Sequence, residues 1–588
     1  MKTPISKKKP APKKPAKRQA GAKTAKAAKK QATKTKPVKT KTAKPVRQKL
    51  QTPQIPQILK EKKSKGRVAG FVLESREALC RRAIQMDLTD IDKCFLSVCA
   101  APTGSGKTQA ARLLGMRIVN RLGHDRVVVA SPYVVLCRQT EEDWKAAIDP
   151  ETVMRATHDM NYASKAQKRK AKAFQFPVNI VSMEALLQAL SRPNSAKAHS
   201  LRKAVVILDD PDQTIPTHAM RFFLHRCRDF HKLHGTHFIL TSATFPKLWE
   251  VDGFEDEVAK LDLPKRLEEK LKDRYRTGFS RTIGSIDTLA AEVLACEQKP
   301  TMVVLNTKRN AKNLLKKILI MQKLLPEKHP QKVTRAFFIT TDIHPARRRA
   351  QEKAAEKAVD AKERVIIIGT SCIQAGWDIS CGTIFRENAG FIPQHQIGGR
   401  TNRNGELKCG VLIIFQLADG TKLAEARIPA EILLQAYLEG RAMTATEAVL
   451  AHLECDPEVA QKESKLGRLW KNYKKTGLGL PEIERLLRFT YYRKKTIMTA
   501  KSAWAKKDLE AMDNGRWSIK ILRKYQIQVS DQDIKTMRVL LSGELALVLD
   551  PEELDLFERI ALEGEDSAGG FPFLSEESYH KLYGIKGD

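Results

Sequence analysis

The stretch that most constrains this chain is Ala101-Pro102-Thr103-Gly104-Ser105-Gly106-Lys107-Thr108. An apolar run, Cys94 to Ala100, leads into it, and Gln109 to Leu122 follows with apolar residues at three- and four-residue steps. Strand, glycine-rich turn and helix in that order are the context a phosphate-binding loop requires. Glycines lack a Cβ, so such a loop can curl its N–H groups toward a phosphate, and the helix start adds partial positive charge. Lys107 can reach the β- and γ-phosphates of a nucleoside triphosphate, and the Thr108 hydroxyl can hold Mg²⁺. Thr103, Gly104, Ser105 and Gly106 complete the candidate cradle. The strict pattern has Gly at the first position, where this chain has Ala101. The plainer reading is a chance glycine-rich turn, which the flanking strand and helix argue against.

Around this loop, β-like and α-like runs alternate. Strands are expected at 94–100, 126–131, 178–182, 204–209 and 237–242, then in a second series at 301–306, 336–340, 364–370, 381–386 and 410–416. These runs are continuous and apolar, as parallel strands covered on both faces must be. The fold class is α/β: two parallel-sheet lobes joined by a charged connector around 253–285. From about Ile428 the pattern is mainly helical and rich in Lys and Arg, with a short β-like pair near 537–549 and a loop-rich end, Phe571 to Asp588. The expected division is a disordered basic tail at 1–66, lobe 1 at 67–265, lobe 2 at 266–427 and an accessory domain at 428–588. The length, 588 residues, suits about three or four domains.

The strand Ala204-Val205-Val206-Ile207-Leu208 ends in Asp209-Asp210-Pro211-Asp212. Acids at the end of a buried strand are the expected metal-binding partners of a phosphate loop. Asp209 would hold Mg²⁺ and Asp210 would orient a water, the plainer alternative being an acidic helix cap. Thr241-Ser242-Ala243-Thr244 ends the next strand. In the second series, Gln396-Ile397-Gly398-Gly399-Arg400-Thr401-Asn402-Arg403 reads as helical. Two arginines three apart share a helix face, from which Arg400 and Arg403 could reach a γ-phosphate across an interlobe cleft. The alternative there is a solvated basic turn.

The formal charge, +38, points to a polyanionic partner. Residues 1–60 hold 20 Lys or Arg and no acid, leaving +18 for the rest. Lys, Ala, Pro, Thr and Gln dominate that segment, which offers little to bury. It resembles the tails of linker histones and suits sequence-independent phosphate contact; the alternative is a solubilising or targeting extension. No apolar run approaches the roughly 18 residues of a membrane span. Ten scattered cysteines without a C-x-x-C pair fit reduced thiols and a cytoplasmic or nuclear setting.

This order of motifs resembles superfamily 2 DExD/H helicases. More narrowly, it is similar to the helicase portion of the CRISPR-associated helicase–nuclease of type I systems. Val129-Ala130-Ser131-Pro132-Tyr133 is similar to that family's motif Ia, and Val303-Val304-Leu305-Asn306-Thr307 to its motif IV. His344-Pro345-Ala346-Arg347-Arg348, the stretch Thr370 to Glu406 and the end, Leu574 to Gly584, are also similar. The resemblance implies two RecA-like lobes, with ATP and Mg²⁺ as cofactors. It implies ATP-driven movement on single-stranded nucleic acid, DNA favoured, with a guide complex or separate nuclease as partner and no membrane. For ATP it carries over Gly104, Gly106, Lys107, Thr108, Asp209, Asp210, Gln396, Arg400 and Arg403. For the strand path it carries over Ser131, Pro132, Ser182, Asn306, Thr307 and Thr370.

Three departures stand out. Residues 1–66 contain no histidine, so the fused metal-dependent nuclease is not expected, and His158-Asp159 reads as a loop pair. Gln85 is available as an adenine reader, but Arg76 sits nearer the usual place. Asp210 replaces the family's Glu and is one methylene shorter. Two rival functions therefore stand beside a DNA motor: an RNA helicase, and a nucleotide-gated nucleic-acid-binding scaffold with weak hydrolysis. The histidines 218, 225, 231, 234 and 237 could be metal ligands or, more simply, structural. Trp377 reads as packing. Trp470, Tyr473, Tyr491 and Tyr492 fit a strand-binding face or a helical bundle equally well.

Overall fold

The computed structural model describes residues 68–487, apart from 158–159, 161, 281–282, 298–299, 326–334, 341–344, 374–376 and 419–423, together with 495–498 and 526–529. Its centre is two parallel sheets. Lobe 1 contains β1 (Leu96–Cys99), β2 (Arg126–Ser131), β3 (Val153–Arg155), β4 (Val178–Ser182), β5 (Ala204–Asp209), β6 (His237–Thr241) and β7 (Val258–Lys260). Their order across the sheet is β3-β4-β2-β5-β6-β1-β7. Lobe 2 contains β8 (Tyr275–Ser280), β9 (Thr301–Val304), β10 (Arg335–Ile339), β11 (Val365–Gly369), β12 (Thr383–Glu387) and β13 (Gly410–Phe415), in the order β10-β11-β9-β12-β13-β8. This is the parallel α/β architecture that the alternating runs predict, in the two RecA-like lobes that the family resemblance implies.

All ten expected strands form, and the apolar runs explain why. In β5, Val206 and Leu208 enter one core cluster while Val205 and Ile207 enter the other, so both faces of the sheet are covered by helices. The charged connector expected at 253–285 is instead structured. It supplies β7, helix Lys265–Lys272 and β8. β3, β7 and β8 lie at sheet edges. An edge strand has one hydrogen-bonded neighbour and less to bury, so short or mixed sequences such as Tyr-Arg-Thr-Gly-Phe-Ser suffice and carry no apolar signal. Leu267 and Leu271 bury into the lobe 1 core, so the packing of lobe 1 continues through this helix.

Beyond lobe 2, helices Ala424–Leu438, Ala445–Cys455, Pro457–Thr476 and Leu480–Leu487 follow. They do not enclose a core of their own among the described residues. Val449, Leu466, Trp470, Ile483, Leu486 and Leu487 join the lobe 1 cluster beneath helix Thr217–His234. Polar links reinforce this seam: Arg192 pairs with Glu484, and Arg221 with Glu463 at 3.2 Å. Trp470 is buried edge-on against Phe222, and the Arg226 guanidinium lies 4.1 Å from its ring centre. For Trp470 and Tyr473, stacked on each other, the bundle alternative is the one realised. A separate antiparallel pair joins β14 (Lys495–Met498) to β15 (Gln526–Val529). The pair expected at 537–549, the segment 571–588, Tyr491, Tyr492 and the tail 1–66 lie outside the described residues. No helix among the described residues is long and apolar enough to cross a membrane.

Candidate nucleotide and nucleic-acid site

The phosphate loop leaves the C-terminal end of β1, the end at which open α/β sheets bind ligands. Gly104 and Gly106 take φ values of +86° and +91°, a region that strains any side chain. Gly106 caps the buried helix Lys107–Leu122. The Lys107 ammonium is buried and donates to the Ala101 carbonyl at 2.9 Å. Ser105 Oγ is buried with no hydrogen-bond partner among the described residues. An orphaned hydroxyl and an enclosed ammonium in one curled loop are the features a phosphate group would satisfy.

Register delivers the acids. β5 and β6 pair so that Asp209 sits opposite Thr241. Thr241 Oγ1 donates to Asp209 Oδ1 at 2.9 Å, and Thr108 Oγ1 to the same atom at 3.3 Å. The hydroxyl and carboxylate expected to share Mg²⁺ are thus adjacent. Asp210 adopts a left-handed conformation, φ +42° and ψ +58°, directly before Pro211. Its amide donates to the Thr241 carbonyl at 2.8 Å. Burial pushes its carboxyl up to about 7; Asp209 and Asp212 add to the rise, while Lys107 and Arg400 oppose it. Asp212, which motif reading passed over, is buried. It accepts hydrogen bonds from Ser242 Oγ at 2.6 Å and Thr244 Oγ1 at 2.5 Å. The hydroxyl residues at and just after the end of β6 therefore hold both Asp209 and Asp212.

Lobe 2 presents arginines to this surface, though not as expected. The helix carrying Gln396 ends at Gly398, and Arg400 and Arg403 lie in the turns that follow. Two successive glycines and Asn402, at φ +46°, break the helix, so the pair does not share a helix face. Arg400 donates to the carbonyls of Trp377 (3.2 Å) and Gln396 (3.1 Å). Burial lowers its pKa to about 9. Arg403 is ion-paired with Asp378. Gln396 Nε2 is buried with no partner among the described residues.

Two more guanidinium groups converge here. Arg274, just before β8, donates to Thr103 Oγ1 at 2.8 Å and to the carbonyls of Gly399 at 3.3 Å and Arg403 at 3.5 Å. It links the phosphate loop directly to lobe 2, and burial lowers its pKa to about 10. No motif marks it, because its role depends on the lobes meeting. Arg76 Nε donates to the Gly104 carbonyl at 3.1 Å. Gln85 is exposed at the far end of the same helix, Gly70–Gln85, so Arg76 is the residue beside the loop. The Ala69 amide donates to the Asn404 carbonyl at 2.8 Å, a second bond between the lobes.

The strand-path residues all sit at C-terminal strand ends. Ser131 and Ser182 face each other in register across β2 and β4. Ser131 is fully buried, with its hydroxyl 3.5 Å from Thr140 Oγ1, and Pro132 is buried beside it. Ser182 and Thr307 cap helices through Ala185 N–H and Asn310 N–H. Asn306 follows β9 with both amide atoms engaged: Nδ2 with the Asn388 carbonyl at 2.9 Å and Oδ1 with Arg386 at 2.7 Å. Thr370 is buried next to Cys372. The exposed side chain at the β2 end is Tyr133.

The histidines are engaged locally. His218 contacts the Leu486 carbonyl (2.8 Å), His225 contacts Asp252 (3.0 Å), and His231 contacts the Thr236 carbonyl (3.2 Å). His234 packs on Phe230. His237 is buried between Ser97 Oγ at 2.9 Å and the Cys94 carbonyl at 3.1 Å. No group of three or more candidate metal ligands occurs among the described residues. Trp377 is buried and donates to Glu356 at 2.9 Å, a packing role. His158-Asp159, Gln374 to Gly376, His344 and the side chains of Pro345 to Arg347 lie outside the described residues.

Two RecA-like lobes, with a phosphate loop, strand-end acids and facing arginines between them, resemble the arrangement of superfamily 2 helicases. Residues 82–251, most of lobe 1, match the DEAD/DEAH box helicase family. By sequence, no curated protein matches the chain. The fold is similar to T. fusca Cas3 with AMPPNP, with a TM-score of 0.53 at 12% identity, over 77% of this chain and 64% of that one. It is similar to a further crystal structure of T. fusca Cas3 (0.56, 13%, 79% and 66%). It is also similar to a CRISPR-associated protein (0.55, 12%, 84% and 66%). This chain thus resembles the helicase portion of Cas3 and spans about two-thirds of the length of these proteins. At such identities the likeness is one of fold.

Proposed function

We propose that this protein is an ATP-dependent helicase or translocase acting on single-stranded nucleic acid, DNA in preference to RNA. The observation that carries the reading is the convergence on one loop. Thr108 and Asp209 lie within 3.3 Å in lobe 1, and Arg274 crosses from the start of lobe 2 to Thr103. A site completed only when two lobes meet couples nucleotide state to lobe separation, which is what a motor needs.

In this reading Lys107, Ser105 and the loop amides bind the β- and γ-phosphates, and Thr108 with Asp209 would hold Mg²⁺. The metal's contribution would be to neutralise phosphate charge. Arg400 and Arg403 would exchange their present carbonyl and carboxylate partners for the γ-phosphate. An arginine so placed contributes about 10³–10⁵ in rate in related phosphoryl transfers. Asp210 would orient the attacking water. Ser131, Pro132, Ser182, Asn306, Thr307 and Thr370 build the strand-end surfaces over which the nucleic-acid backbone would pass. The basic helix Lys165–Lys172 supports a polyanionic ligand, with five cationic side chains exposed and no acid in its sequence. Backbone contacts make such gripping largely sequence-independent. Targeting would then come from a partner such as a guide complex or separate nuclease, a reading supported by the likeness to Cas3 and tested by co-purification.

The deciding experiment is steady-state ATPase activity with no strand, single-stranded DNA and single-stranded RNA, for the parent and Lys107→Ala. Strand-stimulated turnover abolished by Lys107→Ala is expected. A parent without strand-stimulated turnover sinks the motor reading. The shorter, high-pKa carboxyl of Asp210 favours one second reading, a nucleotide-gated binder. Turnover that appears only in Asp210→Glu would select it.

A further inference from the structure

Gln213 lies in the short turn Pro211–Gln213 that follows the strand-end acids. Its Nε2 donates to Asp210 Oδ2 at 3.2 Å. Its Oε1 is buried and has no hydrogen-bond partner among the described residues. A buried acceptor left unsatisfied costs about 1–3 kcal/mol, so its retention needs a reason. This turn packs against helix Phe391–Gly398 of lobe 2, where Gln396 Nε2 is an equally unpartnered buried donor. The unspent acceptor thus sits beside the carboxylate expected to work on water, on a turn that packs against the helix carrying the unspent donor. A buried water needs two to four polar partners, and the hydrogen-bonded pair Asp210 and Gln213 offers two acceptors.

We infer that Gln213 is a water-positioning residue of the hydrolytic site: its amide nitrogen holds the Asp210 carboxylate and its amide oxygen accepts a hydrogen bond from the attacking water. The inference rests on the proposed ATP-driven motor. Asp210 is one methylene shorter than Glu, so its carboxylate has less reach. An amide acceptor alongside restores a second fixed point for the water. A glutamine orienting the nucleophilic water is an established device in phosphoryl transfer. In the step itself, the water oxygen forms a bond to the γ-phosphorus. The bond from that phosphorus to the β–γ bridging oxygen breaks, its electron pair leaving with ADP. The water's proton passes to the Asp210 carboxylate, so the products are ADP and inorganic phosphate.

The test compares the full chain with Gln213→Ala and Gln213→Glu, each alone and in an Asp210→Glu background. The readouts are strand-stimulated kcat, affinity for a fluorescent ATP analogue and thermal midpoint. Each single substitution at 213 should lower kcat about 10–100-fold, with nucleotide affinity and midpoint unchanged. With Asp210→Glu present the loss should shrink to a few-fold, because the longer carboxylate reaches the water unaided. A purely structural role would not show that rescue. Three results overturn the inference: kcat within twofold of the parent, loss of kcat in step with affinity and midpoint, or an equal loss in both backgrounds. A parent with turnover and neutral Gln213 variants removes only this inference. A parent without turnover removes the motor reading along with it.

Discussion

Gly399→Ala isolates the contact between the lobes. Gly399 has φ −59° and ψ −11°, so its backbone suits alanine, and a helix-type conformation is slightly better held by Ala than by Gly. The obstacle is across the cleft. A Cβ on Gly399 would stand 2.2 Å from Thr103 Oγ1, 2.7 Å from Thr103 Cβ and 2.8 Å from Thr103 Cγ2. Carbon contacts are optimal at about 3.5–4.0 Å, so the two surfaces must part by about 1 Å. Thr103 belongs to the phosphate loop and is hydrogen-bonded to Arg274, so it has little freedom to yield. Overpacking of this kind costs about 1–3 kcal/mol, and a misplacement of about 1 Å can cost about 10²-fold in rate. The expectation is a strand-stimulated kcat lowered about 10–100-fold with the thermal midpoint lowered by no more than a few degrees. Thr103→Gly removes all three clashing atoms, so the double variant should recover part of that loss relative to Thr103→Gly alone, a non-additivity read by a double-mutant cycle. Full activity in Gly399→Ala, or strict additivity of the pair, would refute the claim that this contact forms in the working cycle.

Arg274→Ala removes three hydrogen bonds from one buried guanidinium; kcat/KM for ATP should fall about 10–100-fold, as loss of a charge-assisted interaction predicts. Arg274→Lys should restore little, because one ammonium cannot span the same acceptors. Asp212→Asn leaves one acceptor oxygen where Ser242 and Thr244 now find two, and should lower the ratio of strand-stimulated to basal ATPase about tenfold. His237 makes a prediction about pH. Its Nδ1 donates to the Cys94 carbonyl at 3.1 Å, which fixes the proton on that nitrogen; burial keeps the ring neutral, lowering its pKa from 6.5 to about 3 against the opposing pull of that bond. Above about pH 6.5 this preference adds nothing unfavourable. Between about 6.5 and 3 the unfolded chain binds a proton that the folded one refuses, so stability falls with falling pH, with a limiting slope of about 1.4 kcal/mol per pH unit. Urea titrations at several pH values should show a flatter acid limb for His237→Asn, and identical limbs would refute the assignment.

Much of the fold was legible because its signals are local. The loop at 101–108 and the central strands declare themselves through glycines and unbroken apolar runs, since a strand buried on both faces has no other composition open to it. The edge strands β3, β7 and β8 were not legible, because one-sided pairing relaxes that demand. The helical reading of Arg400 and Arg403 failed for a local reason too, the glycines at 398 and 399.

The chain by itself determined which chemical groups are present and the lobe each belongs to: Lys107, Thr108, Asp209 and Asp210 in one, and Gln396, Arg400 and Arg403 in the other. Only tertiary structure decided what meets what. Arg274 and Thr103 are 171 residues apart in sequence, and Arg192 and Glu484 are 292 apart. Neither pair has a sequence spacing to read. Asp212 acquired its partners from the turn after β6, and Gln213 was left an unspent acceptor beside Asp210. Motif reading finds groups whose neighbours in sequence are their neighbours in space. A site that closes between two lobes is made of the other kind.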